Sequence, residues 1–220
     1  MKISVVIPVY NEIDSISQLY KELNDVLSGF DWYEVFFIDD GSSDGSDKEI
    51  KKIIETDSKV NLIQFHRNYG KSAALAEGFK YADGDYVITM DSDLQDDPRE
   101  ISNLIKELEK GYDLVSGWKK DRKDPLSKKL PSKLFNFITR LFTGVKIHDF
   151  NCGLKIYKKS VIKTLELYGG RHRYIPAMAG QKKFKVSEII VNHRPRIYGK
   201  TKYGGSRFFH GLFDLISILF

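Results

Sequence analysis

Between residues 3 and 90 the chain alternates short apolar runs with segments of helical period, and that rhythm leaves few folds open. ISVVIPV (Ile3 to Val9) gives way to turn and cap residues at Asn11 to Ser15. Apolar positions then recur at Ile16, Leu19, Tyr20, Leu23, Val26 and Leu27, the spacing of one helix face. EVFFI (Glu34 to Ile38) leads through DDGSSDGS to Ile50, Ile53 and Ile54, and Val60 to Phe65 leads to a helix from about Lys71 to Tyr81. Tyr86 to Met90 is a fourth strand, Pro98 to Lys110 a helix stopped by Gly111, and Tyr112 to Ser116 a fifth strand. Strands and helices in this order predict an α/β fold, a mostly parallel sheet covered by helices on both faces.

The fourth strand runs into the most acidic turn of the chain, YVITMDSDLQDDP (Tyr86 to Pro98). Ligands of open α/β sheets bind beyond the carboxyl ends of the strands, so Asp91 and Asp93, two residues apart, are expected to project together into that crevice. Two such carboxylates repel unless a cation lies between them, and their oxygen donors suit Mg2+ or Mn2+. Asp96 and Asp97 read as caps for the helix that starts near Pro98.

Length and composition set the frame: 220 residues, 41% of them hydrophobic, suffice for one sizeable domain with a tail. The single cysteine, Cys152, excludes an intrachain disulfide and a four-cysteine zinc site and fits a reducing compartment. No signal peptide is expected, because the chain opens directly on a core strand. Charge is unevenly divided. Residues 1–110 carry 12 Lys+Arg against 23 Asp+Glu, whereas residues 111–220 carry 23 against 7. The second half is therefore expected to face a polyanion, whether a phosphorylated substrate, an anionic membrane or a nucleic acid.

That basic half begins with a polar loop, WKKDRKDPLSKK, followed by LPSKLFNFITRLFTGV. Here Leu130, Leu134, Phe137, Ile138, Leu141 and Phe142 fall on one face, a pattern that serves either core packing or a membrane interface. Gly153 to Tyr157 reads as a strand, Lys158 to Leu167 as a helix, and Val186 to Val191 as a last strand before HRPRIYGKTKYGG. The final 14 residues, RFFHGLFDLISILF, are mostly apolar. As a helix they extend ~21 Å at ~1.5 Å per residue, too short for a ~30 Å hydrocarbon layer. An interfacial helix, or the first turns of a membrane segment in a longer protein, is expected there.

Taken together, VVIPVYNE, FIDDGSSDGS, MDSDLQDDP and HRPRIYGKTKYG resemble glycosyltransferase family 2, and within it the polyprenyl-phosphate hexosyltransferases. The resemblance spans essentially the whole chain. It implies a GT-A fold over residues 1–205, with a nucleotide-binding half (1–117), an acceptor-binding half (118–205) and the tail at 206–220. It implies an inverting, Mg2+- or Mn2+-dependent transfer of a hexose from a nucleotide-diphosphate sugar such as UDP-glucose or GDP-mannose to a polyprenyl phosphate. The reaction would occur at the cytoplasmic face of a membrane, without a nucleic-acid partner.

By position, the resemblance assigns Pro8, Tyr10, Glu12 and Asp39 or Asp40 to the nucleotide. Asp91, Ser92 and Asp93 occupy its acidic metal motif, with Gln95 as a further oxygen ligand. Arg196, Gly199, Lys200, Thr201 and Lys202 match a pattern that closes over the diphosphate, where an arginine suits bidentate oxygen recognition. Trp118, Lys119, Lys120, Arg122 and Arg194 would meet the acceptor phosphate. Asp149 would face the acceptor, orienting it or acting as base, and His148 is a weaker candidate beside it. Lys71 could reach a phosphate, although a lysine in the first turn of a helix is more often simply solvated.

Four other readings compete, the first of them within the same family. A second kind of family 2 enzyme would glycosylate a soluble or polysaccharide acceptor and need no membrane. A phospho-acceptor receiver module accounts for the acidic turns but not for the basic half, and a nucleic-acid-binding module has the reverse problem. A dinucleotide dehydrogenase lacks its glycine fingerprint after the first strand.

Overall fold

The N-terminal apolar run forms β1 (Lys2–Val9), and its side chains alternate between two helical layers because strand side chains point to opposite faces in turn. Ile3, Val5, Ile7 and Val9 pack against the buried stripe of α1 (Ile13–Leu27), namely Ile16, Leu19, Leu23 and Leu27, and against α2 (Ser46–Thr56) and α4 (Ile101–Leu108). Val6 faces the other way, toward Phe36, Ile38 and α3 (Lys71–Tyr81). Burying one such aliphatic side chain contributes about 1.5–3 kcal/mol, so the stripe of α1 alone accounts for much of that layer's cohesion. The computed structural model describes residues 1–120, 126–198 and 214–218, apart from the side chains of 126–131.

The sheet has seven strands in the order β3-β2-β1-β4-β6-β5-β7. β2 (Trp32–Asp39), β3 (Val60–Gln64) and β4 (Tyr86–Thr89) run parallel to β1, so all four end on the same edge. β5 (Leu114–Trp118) and β7 (Val186–Ile190) are parallel to each other. β6 (Lys155–Lys158) lies between β4 and β5 and is antiparallel to both. The fold is thus the expected α/β sheet, with one reversed strand that nothing in the periodicity announces.

Other elements depart from their sequence-based bounds for local reasons. The helix expected from Pro98 begins as a 3-10 turn, Pro98–Glu100, and becomes α-helical only over Ile101–Leu108. The helix expected over Lys158 to Leu167 is the short α6 (Lys159–Ile162), and α7 (Ile175–Gln181), hidden in a run of small residues, packs under β5 and β7. In α5 (Leu126–Thr143) the expected apolar face divides. Ile138, joined by Phe135 from outside that face, packs on a small core of Ile147, Phe150 and Tyr174, while Leu134, Phe137, Leu141 and Phe142 are exposed. Leu130, Arg122 and residues 199–213, which include Gly199, Lys200, Thr201 and Lys202, lie outside the described side chains, as does most of the apolar tail.

At the shared edge, the turn after β2 is locked against the loop after β3. Gly41 has φ +72° and lies so close to Arg67 that an added Cβ would sit 2.4 Å from the Arg67 carbonyl carbon. Backbone cannot yield as a flexible side chain does. Gly41→Ala is therefore expected to destabilise the protein by about 3 kcal/mol or more in urea unfolding, since it combines left-handed strain with a backbone clash.

Candidate functional site

Four strand ends and the loops after them build the site. After β2, Asp39 and Asp40 are both buried. Asp39 accepts the Ser42 N–H at 3.0 Å through Oδ1, while its Oδ2 is buried without a hydrogen-bond partner. Asp40 accepts the N–H groups of Tyr69 (2.7 Å) and Gly70 (2.9 Å), which sets the start of α3. Burial raises the Asp40 carboxyl above its ordinary range, opposed by those two N–H donors. Beside this turn lies a polar hollow of about 380 Å³ lined by Gly41, Ser42, Gln64, Phe65 and His66. Pro8 and Tyr10 stand at the end of β1 next to it in the sheet, Tyr10 37% exposed. Asp44, at the far side of the turn, accepts the Ile13 N–H (3.1 Å) and the Ser46 N–H (2.9 Å), so it caps two helices.

The acidic turn after β4 is held from within. The Asp91 N–H donates to Asp96 (3.2 Å), the Gln95 N–H to Asp93 (3.2 Å), and the buried Ser92 carbonyl accepts the Ser15 hydroxyl at 2.6 Å. Leu94 takes φ +62°, a left-handed kink that folds the turn back on itself. Asp97 is the expected cap, accepting the Arg99 N–H at 3.1 Å. Asp96 is not a cap: it is paired with Lys119 at 2.8 Å, and both side chains are nearly inaccessible.

Each carboxylate of the Asp91/Asp93 pair meets a cation from a different part of the chain. Lys71, in the first turn of α3, pairs with Asp91, and Arg196, beyond β7, pairs with Asp93 and reaches Glu12 at 3.5 Å. Burial alone raises the Asp91 carboxyl, but Lys71, Lys119 and Lys155 outweigh it and hold it well below the usual carboxylate range. Asp93 goes the other way. Burial, then Asp91 and Asp96, raise it to about 6 against the pull of Arg196. One member of the pair is held firmly ionised, while for the other Arg196 only partly offsets burial and the two neighbouring carboxylates.

The segment after β7 is strapped across this turn. Arg194 N–H donates to the Gln95 carbonyl (3.0 Å), the Gln95 amide nitrogen donates to the Arg194 carbonyl (3.3 Å), and Asn192 donates to Glu100 (3.1 Å) and to Asp97 (3.3 Å). The Arg194 side chain lies between Glu22 (2.5 Å) and Asp97 (2.8 Å), away from the position expected for an acceptor phosphate. Burial raises the Asp97 carboxyl, but its bonds from Arg99, Arg194 and Asn192 reverse the sign and leave it strongly depressed. A depressed carboxyl stabilises the fold above its unfolded value, and that stability is lost as the pH falls below about 4. Wild type is therefore expected to exceed Asp97→Asn in stability by roughly 2 kcal/mol at pH 7, with the gap closing as urea titrations are taken below pH 4.

On the other side, β5 and β6 supply a basic wall. Lys119 is buried on Asp96, so it is not an exposed phosphate ligand, while Lys120 is exposed with its ammonium 5.6 Å from the Trp118 ring. Trp118 stacks on His148 at 4.1 Å, and His148 is tied to Glu188. Asp149 is buried and accepts the Asn151 N–H at 3.0 Å. Lys155, which nothing in its LKIYK context distinguishes from a surface strand lysine, is 3% exposed, and its amine donates to the Cys152 carbonyl. Burial lowers the Lys155 pKa and raises that of the Cys152 thiol to about 12, so the thiol stays protonated.

The donor set suits a divalent cation that also binds substrate. No group of three or more His, Cys, Asp or Glu side chains that could hold a metal occurs among the described residues, so Asp91 and Asp93 could supply only part of a coordination shell. Mg2+ and Mn2+ are commonly bound in that way, by one or two carboxylates with phosphate and water completing the shell. The under-compensated charge at Asp93 fits such an ion. Gln95, its amide nitrogen engaged, keeps its carbonyl oxygen as a further donor.

A nucleotide-sized hollow and an acidic turn at one edge of a mostly parallel sheet are features of a GT-A transferase. Glucosyl-3-phosphoglycerate synthase from Mycobacterium tuberculosis, crystallised with Mn2+ and UDP-glucose, has the same fold. It superposes with a TM-score of 0.77 at 18% identity over 99% of this chain and 79% of that one. The glycosyl transferase family 2 model matches residues 4–166, and the chain belongs to that family of enzymes. Dodecaprenyl-phosphate galacturonate synthase of Rhizobium johnstonii is 38% identical over 100% of this chain and 67% of its own length. Undecaprenyl-phosphate 4-deoxy-4-formamido-L-arabinose transferase of Salmonella paratyphi B is 37% identical over 99% and 67%. The chain thus spans about two thirds of the length of these relatives.

Proposed function

We propose that the protein transfers a sugar from a nucleoside-diphosphate sugar to a polyprenyl phosphate, with inversion at the anomeric carbon and with Mg2+ or Mn2+. The observation that carries this reading is the Asp93–Arg196 pair, which joins the acidic turn to the basic second half across one crevice. The two polyprenyl-phosphate relatives supply the acceptor class. The nucleotide would enter beside Asp39, Asp40, Pro8 and Tyr10, with its diphosphate between Asp91, Asp93 and Arg196. Lys200 and Lys202 are assigned to that diphosphate by motif alone.

In the transfer step an oxygen of the acceptor phosphate attacks the anomeric carbon, the bond from that carbon to the diphosphate breaks, and the nucleoside diphosphate departs with the electron pair. The attacking phosphate is already anionic, so the step needs no general base, and Asp149 serves to orient the acceptor. Lys120 and Trp118 form the accessible wall that this phosphate approaches, with the buried Lys155 behind it. A cation held by Asp91, Asp93 and Gln95 would neutralise charge on the leaving diphosphate. Positioning and charge neutralisation carry most of the rate.

No described helix is long and apolar enough to cross a membrane. The exposed Leu134, Phe137, Leu141 and Phe142 of α5, with exposed Lys133 on the same helix, instead favour docking on an anionic lipid surface. The protein is expected to float with liposomes that contain anionic phospholipid and to bind neutral ones less. Failure to bind either would favour a soluble acceptor. Thermal-shift screening with Mn2+ or Mg2+ would identify the donor. UDP- and GDP-linked glucose, mannose, galacturonate and aminopentose should be included, and a stabilising pair is expected among them.

A further inference from the structure

We propose that Lys71 is the resident counter-ion of Asp91, displaced when a divalent cation and a diphosphate enter together, so that the protein takes up the cation weakly alone and more tightly with the diphosphate. This rests on the metal and diphosphate reading above, and goes beyond it by giving Lys71 a place in the binding equilibrium.

Asp91 sits close against the loop before β6. Gly153 lies so close that a Cβ there would meet the Asp91 carboxylate at 2.5 Å, and the Asp91 N–H is held by Asp96. The Lys71 side chain is 19% exposed and Asp91 31%, so their pair forms part of the crevice wall and is open to exchange. The backbone that leads into Lys71 is held by the two N–H bonds from Tyr69 and Gly70 to Asp40. A hydrogen-bonded path therefore runs from the turn beside the polar hollow, through the start of α3, to the acidic turn.

A divalent ion on Asp91 takes the place of the ammonium, and the displaced ammonium needs a new anion within reach of its four-carbon stem. A diphosphate bound to the same ion supplies one. With metal alone the Lys71–Asp91 pair is broken without replacement, whereas with metal and diphosphate it is exchanged for an ammonium–phosphate pair. Two ligands linked in this way bind with positive coupling, and the coupling is reciprocal.

The test measures protein-bound Mn2+ by equilibrium dialysis, with and without inorganic pyrophosphate, each against the same mixture without protein because pyrophosphate alone complexes Mn2+. Lys71→Met keeps the aliphatic stem and removes the charge. It is expected to bind Mn2+ alone about fivefold more tightly than wild type, the fold-change that corresponds to a partly exposed ion pair, and to lose a similar factor from the pyrophosphate enhancement. Lys71→Arg retains a cation and should behave as wild type does. If pyrophosphate enhances Mn2+ binding in wild type but Lys71→Met shows the same two affinities, the role given to Lys71 is overturned while the metal site stands. If wild type takes up no Mn2+ even with pyrophosphate, both fall. Thermal unfolding of each metal-free variant gives the structural control, and a changed midpoint with unchanged Mn2+ affinities would also overturn the proposal.

Discussion

Asp93→Asn is expected to fold as wild type does and to lose sugar transfer by roughly a thousandfold, the scale set by removing a preorganised charge at a transition state. The fold should tolerate the change because the Asp93 carboxylate is itself costly to keep ionised. Burial and the neighbouring Asp91 and Asp96 already raise it to about 6, and an amide at the same place removes that repulsion. Arg196 loses a partner but retains Glu12 at 3.5 Å. Activity should fail because an amide offers one neutral oxygen in place of a carboxylate to the cation and to Arg196. Steady-state rates at saturating Mn2+, with circular dichroism as the check on folding, separate the two effects. A variant of undiminished turnover would remove Asp93 from the site.

Gly153→Ala is the second large effect, and it acts through shape alone. The added methyl carbon would stand 2.5 Å from Asp91 Cγ and Oδ2 and 2.7 Å from Oδ1, nearer than real Cβ atoms approach. The atoms that must yield belong to a movable side chain, so the sheet should survive while the carboxylate shifts. A displacement of about 1 Å in a positioned group costs on the order of a hundredfold in rate. The expected result is therefore a folded protein with transfer about a hundredfold slower and a raised Mn2+ requirement. An alanine variant with normal kinetics would show that Asp91 has room to spare.

Much of this is legible in the sequence, because the parallel half of the fold rests on local pattern. β1 through β4 and the helices between them follow from apolar runs bounded by glycine, asparagine and aspartate, and Asp91 and Asp93 follow from their place at a strand end. What the residues do not announce is contact between distant segments. β6 is inserted antiparallel between β4 and β5, and that insertion brings Gly153 and Lys155 near Asp91. The burial of Lys119 on Asp96 and of Arg194 between Glu22 and Asp97 likewise depends on tertiary placement, so both look like surface cations in the sequence. Lys71 reads as a solvated first-turn lysine because its partner lies 20 residues away. α7 escapes notice for another reason, since IPAMAGQ is too short and too small in its side chains to show a helical period.

The most direct measurement of the proposed activity is transfer itself: a labelled nucleoside-diphosphate sugar chosen by thermal shift, undecaprenyl phosphate in detergent, Mn2+, and partition of the product between butanol and water. The expected result is label in the lipid phase that disappears on chelation of the metal and in Asp93→Asn. Label that enters only water-soluble products, or a lipid product formed at full rate with chelator present, would contradict it.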